Sequence, residues 1–275
     1  MGVPGYSRVA VVRSIRAAAL LLALTLAGCG LMGGRDDAPR PPRDLNAIPD
    51  AQPRVEPRSA YGNPPWYEIG GHRYYTLPSG RGHVERGVAS WYGPDFHGKL
   101  TSTRETYDMY AMTAAHPTLP LPSYVLVSNL ENGRRVVVRV NDRGPFKDNR
   151  VVDLSYTAAW KLGIVAKGTG LVELRAIDPE EPDNLRLAAE RLGSPVRKPD
   201  LYVQVGAFGS RDNAVRLQSR LSRAAPTAVR VSEASGQDRP LYRVRLGPLG
   251  GVEEADQVVA MLTGLGIHDH HVVVE

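Results

Sequence analysis

The sequence predicts a mainly β domain followed by a small α/β domain. The chain of 275 residues contains 28 glycines and 22 prolines, an excess that favours turn-rich β structure and irregular linkers. Between positions 86 and 178, short runs of β-branched and aromatic residues are bounded by turn residues, as expected for strands. Residues 200–275 alternate strand-like and helix-like patterns in the order βαββαβ.

Composition restricts the class of function. Hydrophobic residues make up 42% and charged residues 23% of the chain, a balance typical of globular proteins. The formal net charge is +5, but three arginines lie in a leader that we interpret as removable, and without them 31 basic residues face 29 acidic ones. This excess is too small to indicate a nucleic-acid partner. The single cysteine excludes intramolecular disulfides and multi-thiolate metal sites, and no cofactor or metal is expected.

The N-terminus has the pattern of an export signal, so residues 1–28 are predicted to be a signal peptide. Arginines precede the apolar run 17–26, which is shorter than the roughly 20 residues of a bilayer span. The tetrapeptide Leu-Ala-Gly-Cys that ends at Cys29 is also similar to a bacterial lipobox, which implies a lipid anchor on Cys29. The alternative is an ordinary secretory peptide followed by an unmodified thiol. By resemblance to sorted lipoproteins, Gly30 favours the outer membrane over the inner one.

Two segments are predicted to be linkers. Residues 29–85 are rich in proline and charge and lack sustained apolar periodicity, so we expect an extended tether that carries the lipidated Cys29. Residues 66–75 are less disordered in character and are candidates for packing onto the next domain. Residues 179–199 form the second predicted linker.

Residues 86–178 are predicted to form the β domain. The pattern predicts strands over residues 87–92, 124–128, 135–140 and 171–177. Asn132-Gly133 is a strong hairpin signal between the second and third of these strands. A short helix is predicted over residues 153–163, with Ser155 as its N-cap and Gly163 as its stop.

Residues 200–275 are predicted to form one antiparallel sheet with two helices. The pattern predicts strands over 201–208, 229–231, 241–246 and 271–275, and helices over 212–224 and 252–265. With both helices on one face, the side chains pointing inward are those of Val203, Val205, Val244 and Leu246. The residues then expected on the open face are Tyr202, Gln204, Phe208, Arg243 and Arg245.

Six polar motifs follow one another in the β domain. They are Gly87-Val-Ala-Ser-Trp-Tyr-Gly93, Phe96-His-Gly-Lys-Leu-Thr101, Glu105-Thr-Tyr-Asp-Met109, Thr113-Ala-Ala-His116, Asn141-Asp-Arg-Gly-Pro-Phe146 and Asp153-Leu-Ser155. Together they resemble the RlpA (rare lipoprotein A) family. The resemblance implies a six-stranded double-psi β-barrel and lytic transglycosylase activity on peptidoglycan. Residues 101–105 (Thr-Ser-Thr-Arg-Glu) depart from the usual Asn-Gly before the glutamate, so the loop that presents Glu105 is expected to be built differently.

The resemblance implies which residues take part in glycan cleavage. This reaction requires an acid that protonates the leaving oxygen. A lytic transglycosylase uses the C6 hydroxyl of muramic acid as its nucleophile, so one carboxyl group can act as acid and then as base. Asp142 is the expected acid, which requires a raised pKa, and His116 is expected to orient it or to polarise the C6 hydroxyl. The predicted glycan-binding residues of this domain are Glu105, Asp108, Trp91, Tyr92 and Arg143. Because Trp91 and Tyr92 are adjacent in an alternating strand, only one of their rings is expected to stack on sugar. Taken alone, Asp142 could be a turn residue and His116 a loop cap.

The C-terminal domain resembles the SPOR domain, through its Tyr202–Phe208 and Tyr242–Pro248 segments. The resemblance implies binding of denuded glycan, which is peptidoglycan stripped of its stem peptides, at division septa. Its predicted glycan-binding residues are Tyr202, Gln204, Phe208, Arg243 and Arg245. The alternative for Tyr202 and Phe208 is a place at the edge of the core. The combined prediction is a lipid-anchored periplasmic transglycosylase, enriched at the septum, with division-machinery proteins as candidate partners. Two alternatives stay open: an expansin-like lipoprotein that binds peptidoglycan without cleaving it, and a structural envelope tether.

Overall fold

The fold is taken from a computed structural model that describes residues 44–147, 149–181, 186, 190, 199–234 and 240–275. The predicted signal peptide and the predicted lipidation site at Cys29 lie outside the described residues. Within the described part of the chain, no helix is long and apolar enough to cross a membrane.

Six strands close into a barrel, as the resemblance implied. They are β3 (Val84–Trp91), β4 (Thr113–Ala115), β5 (Ser123–Asn129), β6 (Arg135–Asp142), β7 (Arg150–Leu154) and β8 (Gly170–Ile177). Their order around the barrel is β3-β7-β4-β6-β5-β8. The pairs β3/β7 and β4/β6 are parallel, and the other four pairs are antiparallel. The barrel interior is filled by aliphatic side chains such as Leu119, Val138, Leu154 and Leu174, each at most 1% exposed.

The predicted elements of the barrel are found with shifted ends. Helix α1 spans Tyr156–Leu162, the Ser155 side chain accepts a hydrogen bond from the Ala158 N–H, and Gly163 ends the helix at a φ of 74°. Both predicted caps are confirmed. The predicted helix start at residue 153 is wrong, because Asp153 and Leu154 are the last residues of β7. The sequence pattern also missed β4, whose three residues are too few to show alternation.

The described part of the predicted tether, residues 44–85, packs on the barrel. Strand β4 covers only one end of β6, which leaves the backbone of Val137 open at that edge. Asp50 accepts the Val137 N–H (2.8 Å), and the Ala51 N–H donates to the Val137 carbonyl (3.0 Å). Glu56 pairs with Arg139 at 2.9 Å. The expectation of a free tether is therefore corrected from residue 44 onward, because its polar groups satisfy barrel groups that would otherwise lack partners.

Residues 66–75 form a two-stranded antiparallel hairpin. Its strands are β1 (Trp66–Ile69) and β2 (His72–Tyr75), joined through two glycines with positive φ. An isolated hairpin of this size is marginally stable at best in water, so it depends on packing. The Tyr67 hydroxyl donates to the Pro117 carbonyl of the barrel domain at 2.7 Å.

The C-terminal domain has the predicted βαββαβ order. Its elements are β9 (Leu201–Phe208), α2 (Arg211–Leu221), β10 (Val229–Ala234), β11 (Leu241–Leu249), α3 (Val252–Gly264) and β12 (His271–Val274). The four strands form one antiparallel sheet in the order β10-β11-β9-β12. The predicted inward residues are confirmed, since Val203, Val205, Val244 and Leu246 are all buried.

Candidate active site

Two aspartates lie on either side of the short strand β4. Ala115 of β4 is the register partner of Asp142 on β6 and also of Asp153 on β7. Because neighbouring strands lie about 4.8 Å apart, the two aspartate backbones are about 10 Å apart with one small side chain between them. The closed barrel therefore brings together two carboxylates from separate sequence motifs. We call Asp142 and Asp153 the carboxylate pair.

Asp153 is the member of the pair whose environment favours the protonated form. Burial raises the pKa of its carboxyl, a hydrogen bond from Ser90 and the charge of Arg150 oppose this, and the negative charge of Asp142 raises the pKa further. The Ser90 hydroxyl donates to Oδ1 of Asp153. A carboxyl group with a raised pKa beside a second carboxylate is the arrangement that supplies a general acid near neutral pH.

Asp142 is held in one orientation by three donors. Its Oδ1 accepts the Ser102 N–H (2.8 Å), the Ser102 hydroxyl (2.6 Å) and the Arg143 N–H (2.7 Å). Ser102 belongs to the loop that departs from the usual family sequence, so this loop contacts the carboxylate pair directly. In the same loop Arg104 has a φ of 70°. Glycine adopts this left-handed conformation at little cost, and the position is where the family usually has one.

Gly144 lies above the carboxylate pair. A Cβ atom at this position would be 3.8 Å from Cβ of Ala115 and 3.9 Å from Oδ2 of Asp153, and the φ of Gly144 is 131°. Only glycine adopts this backbone conformation readily. Any larger side chain would also occupy the space beside the Asp153 carboxyl.

Two stacked tyrosines lie close to the pair. The rings of Tyr92 and Tyr107 are 4.0 Å apart, both residues are buried, and the Tyr107 hydroxyl donates to the Tyr92 carbonyl at 2.8 Å. Burial raises the pKa of Tyr92, and the negative charges of Asp142 and Asp153 raise it further. The Tyr92 hydroxyl therefore stays protonated beside both carboxylates. Its ring packs inside the domain, so the predicted role of Tyr92 in stacking on sugar is corrected.

His116 contacts a different carboxylate from the one predicted. Its side chain is 1% exposed, its Nε2 lies 3.1 Å from Oε2 of Glu85, and its Nδ1 accepts the N–H groups of Thr118 and Leu119. Because Nδ1 is an acceptor, the neutral ring carries its proton on Nε2 and donates it to Glu85. The only contact with Asp142 is through the backbone, from the His116 N–H to the Asp142 carbonyl. The prediction that the His116 side chain orients Asp142 or contacts substrate is wrong, since both ring nitrogens are used and the ring is buried.

His83, Glu85 and His116 also form a cluster of possible metal ligands. Their ligand atoms lie within 4.8 Å of one another. A ligating histidine normally donates its second N–H to an acceptor. His116 does the reverse, because its Nδ1 accepts two backbone N–H groups and its Nε2 therefore keeps the proton. The two histidines instead stabilise the ionised form of Glu85. Burial alone would raise the pKa of Glu85, but the hydrogen bonds from His116 and His83 lower it to about 2.

Comparison with known proteins identifies both domains. The family model described as "Lytic transglycolase" matches residues 84–174, and the one described as "SPOR domain" matches residues 198–273. The "Endolytic peptidoglycan transglycosylase RlpA" of Pseudomonas aeruginosa strain UCBPP-PA14 is 38% identical over 273 residues, covering 81% of this chain and 80% of that protein. The chain belongs to the RlpA family.

One further RlpA protein and one solved RlpA domain are similar to parts of the chain. The RlpA of Vibrio cholerae is 51% identical over 172 residues, which cover 61% of this chain and 65% of that protein. The crystal structure of the RlpA SPOR domain from P. aeruginosa is 33% identical, covers 26% of this chain and 96% of that chain, and has a TM-score of 0.26.

Arg143 of the RlpA motif is a structural residue. Its guanidinium donates to the carbonyls of Gly62 (2.8 Å), His116 (3.1 Å) and Leu119, and to the Asn63 side chain (3.1 Å). Burial lowers its pKa to about 10. These contacts hold the segment before the hairpin and the loop after β4 against the Asp142 loop. The prediction that Arg143 binds glycan is therefore corrected, because its donors are used within the protein.

The two predicted acidic glycan ligands both have partly exposed side chains and differ in their partners. Glu105 accepts hydrogen bonds from Arg139 (2.7 Å) and Asn141 (2.8 Å). Its partners are thus Arg139 and Asn141, and Glu105 is not part of the carboxylate pair. Burial alone would raise the pKa of Glu105, but the hydrogen bonds from Arg139 and Asn141 lower it below its ordinary value. Asp108 is 55% exposed beside His97, so it remains available to a ligand.

Trp91 is more accessible than its neighbour Tyr92. Its residue is partly exposed at the end of β3, and its ring contacts Tyr156 edge-on at 5.5 Å. Of the two aromatic residues in the RlpA strand motif, Trp91 therefore remains the predicted sugar-stacking residue.

The open face of the SPOR sheet differs from the prediction at Phe208. Partly exposed residues there include Tyr202, Gln204, Arg243 and Arg245, and Arg245 donates to Gln204 (3.0 Å) and Glu275 (2.7 Å). Val244 pairs with Gly206 and Arg245 with Gln204, so a bulge at Val205 reverses the alternation of β9. Phe208 consequently packs against the core on the helix side. The expectation that Phe208 lies on the open face is wrong.

Proposed function

We propose that this RlpA-family chain cleaves peptidoglycan endolytically. It breaks bonds between MurNAc and GlcNAc inside the glycan strand and leaves 1,6-anhydroMurNAc at the new end. The single observation that supports this most is the carboxylate pair, in which Asp153 has a raised pKa and lies across Ala115 from Asp142. This pairing supplies a proton donor and a negative charge on opposite sides of one small residue. The role of acid, expected for Asp142, is assigned to Asp153.

The reaction transfers one proton from the protein to the substrate and one proton from the substrate back to the protein. The protonated carboxyl of Asp153 donates its proton to the glycosidic oxygen as the bond from that oxygen to C1 of MurNAc breaks. Positive charge develops on the sugar ring, and the carboxylate of Asp142, fixed by Ser102 and Arg143, stabilises it. The C6 hydroxyl of MurNAc then bonds to C1 and returns its proton to the Asp153 carboxylate. No water is consumed, and both carboxyl groups end as they began.

The reaction is tested on a soluble form of the mature chain, which lacks the signal peptide and Cys29. Intact sacculi and amidase-treated sacculi, which differ in stem peptides, are incubated with it and the products are analysed by mass. We expect anhydro-ended products, in greater amount from the denuded glycan. Binding without any anhydro product would favour the expansin-like alternative, and the absence of both binding and product would favour the structural tether.

Lipidation of Cys29 and attachment to the outer membrane are part of the proposal. The lipobox-like residues 26–29 support them. Replacing Cys29 with Ser removes the thiol that the lipid would modify. We expect Cys29→Ser to lose acyl labelling and to move from the membrane fraction to the soluble periplasmic fraction. Co-fractionation of Cys29→Ser with the outer membrane would contradict the anchor.

Septal enrichment through denuded glycan is assigned to the SPOR domain. The partly exposed Tyr202, Gln204 and Arg245 give its open sheet face aromatic and hydrogen-bonding groups suited to a sugar polymer. Deleting residues 200–275 should disperse a fluorescent fusion from septa while the release of anhydro products in vitro continues. If septal focusing persists, another part of the chain, such as one that binds division proteins, determines the location.

A further inference from the structure

Aromatic rings form a continuous cluster directly beyond the Asp142 loop. Tyr67 and Tyr74 of the hairpin are stacked at 5.2 Å, and Phe146 contacts them edge-on at 6.1 Å and 5.6 Å. The His72 ring lies 4.6 Å from Tyr74. The cluster thus joins the inner face of the hairpin to the last residue of the Asn141–Phe146 motif.

The cluster is fixed relative to the carboxylate pair. Phe146 follows Gly144 by two residues, and a Cβ on Gly144 would lie 3.9 Å from Asp153 Oδ2. The guanidinium of Arg143 lies 6.0 Å from the Tyr67 ring and donates to the Gly62 carbonyl ahead of the hairpin. The hairpin is therefore held beside the loop that carries Asp142, at one end of the pair.

The cluster is open to solvent although aromatic. Phe146 is 43% exposed, and His72 is exposed on the same face of the hairpin. The negative face of an aromatic ring attracts the partly positive C–H groups of a pyranose, and ligand sites are commonly lined by aromatic side chains. An endolytic enzyme also needs contacts with sugars on both sides of the cleaved bond, since its substrate is a strand.

We infer that His72, Tyr74 and Phe146 form a saccharide-binding subsite, which holds the glycan strand a short distance from the cleaved bond. The inference rests on the proposed function for its substrate. The hairpin, predicted as part of a tether, then contributes two of the three residues of this subsite. The subsite contributes to the binding of long glycan strands and makes no contact with oligomers that are too short to reach it.

A kinetic comparison tests the subsite in the full mature chain. Phe146→Ala should lower kcat/KM for long denuded glycan oligomers on the order of tenfold, equivalent to about 1.4 kcal/mol, and leave the shortest cleavable oligomer unchanged. Tyr75→Ala is the matched control, because Tyr75 is 62% exposed on the outer face of the same hairpin, and it should leave both values unchanged. An equal loss on long and short oligomers, or no loss, would overturn the subsite.

A binding measurement makes the inference independent of turnover. The chain has three phenylalanines, Phe96, Phe146 and Phe208, so fluorine-labelled phenylalanine gives three NMR resonances that Phe→Leu variants assign. In an Asp153→Asn background, saturating denuded glycan oligomers should shift the Phe146 resonance. An unmoved Phe146 resonance overturns the subsite even if the wild type is active. A wild type that releases no anhydro product contradicts the proposed reaction, and the Phe146 resonance still decides the subsite.

Discussion

Asp153→Asn should lower the rate of anhydro-product release about 10²- to 10⁴-fold. The substitution keeps the side-chain volume and removes the transferable proton, and loss of a positioned acid typically has this effect. An amide can still accept the hydrogen bond that the Ser90 hydroxyl donates to Oδ1. The rate is measured by mass analysis of products from denuded glycan strands.

The matched control for this substitution is Asp95→Asn. Asp95 is an exposed aspartate of the same domain that lies outside the carboxylate pair and outside the predicted glycan-binding residues, so the rate should be nearly unchanged. Thermal melts of both variants separate loss of activity from loss of fold. A folded Asp153→Asn that releases product at the wild-type rate would refute the assignment of the acid.

Arg143→Lys should lower the free energy of unfolding of the barrel by about 2–4 kcal/mol. The guanidinium holds three backbone carbonyls and the Asn63 side chain together, and an ammonium cannot match this planar set of donors. Carbonyls left unpaired in a partly buried site are costly, and hydrogen bonds to charged groups are among the stronger ones. The three tryptophans all precede residue 200, so their fluorescence in a urea titration reports on the barrel and its hairpin.

Arg86→Lys serves as the control for charge and size. Arg86 is 45% exposed and pairs with Glu173 at 2.9 Å, and exposed ion pairs contribute at most about 1 kcal/mol. If the two variants have equal unfolding midpoints, Arg143 does not hold the two segments together and its guanidinium is available for another role.

Local rules predicted the parts of the fold that depend on neighbouring residues. Ser155 and Gly163 were found as helix caps because capping depends on a few adjacent residues. The inward valines of β9 followed from alternation. Phe208 was misplaced because the bulge at Val205 depends on how β9 pairs with β11, which no local pattern reveals.

The site was less predictable because it depends on closure of the barrel. Asp153 was interpreted as a helix start, although it lies in one of the six motifs that matched the family. Its position across from Asp142 follows from their common neighbour Ala115, which belongs to a strand of three residues. The clue in the sequence was a second motif aspartate after an apolar pair, Val151-Val152. The contacts of His116 and Arg143 are long-range and required the structure.

The central claim is that burial and the charge of Asp142 raise the pKa of Asp153. It is tested most directly by NMR titration of the Asp153 carboxyl carbon in the wild type and in Asp142→Asn. We predict that the pKa of Asp153 lies above the ordinary value for aspartate, because burial and the Asp142 charge raise it, and that Asp142→Asn lowers it. An Asp153 that titrates at or below the ordinary value in the wild type, with no change in Asp142→Asn, would contradict the account.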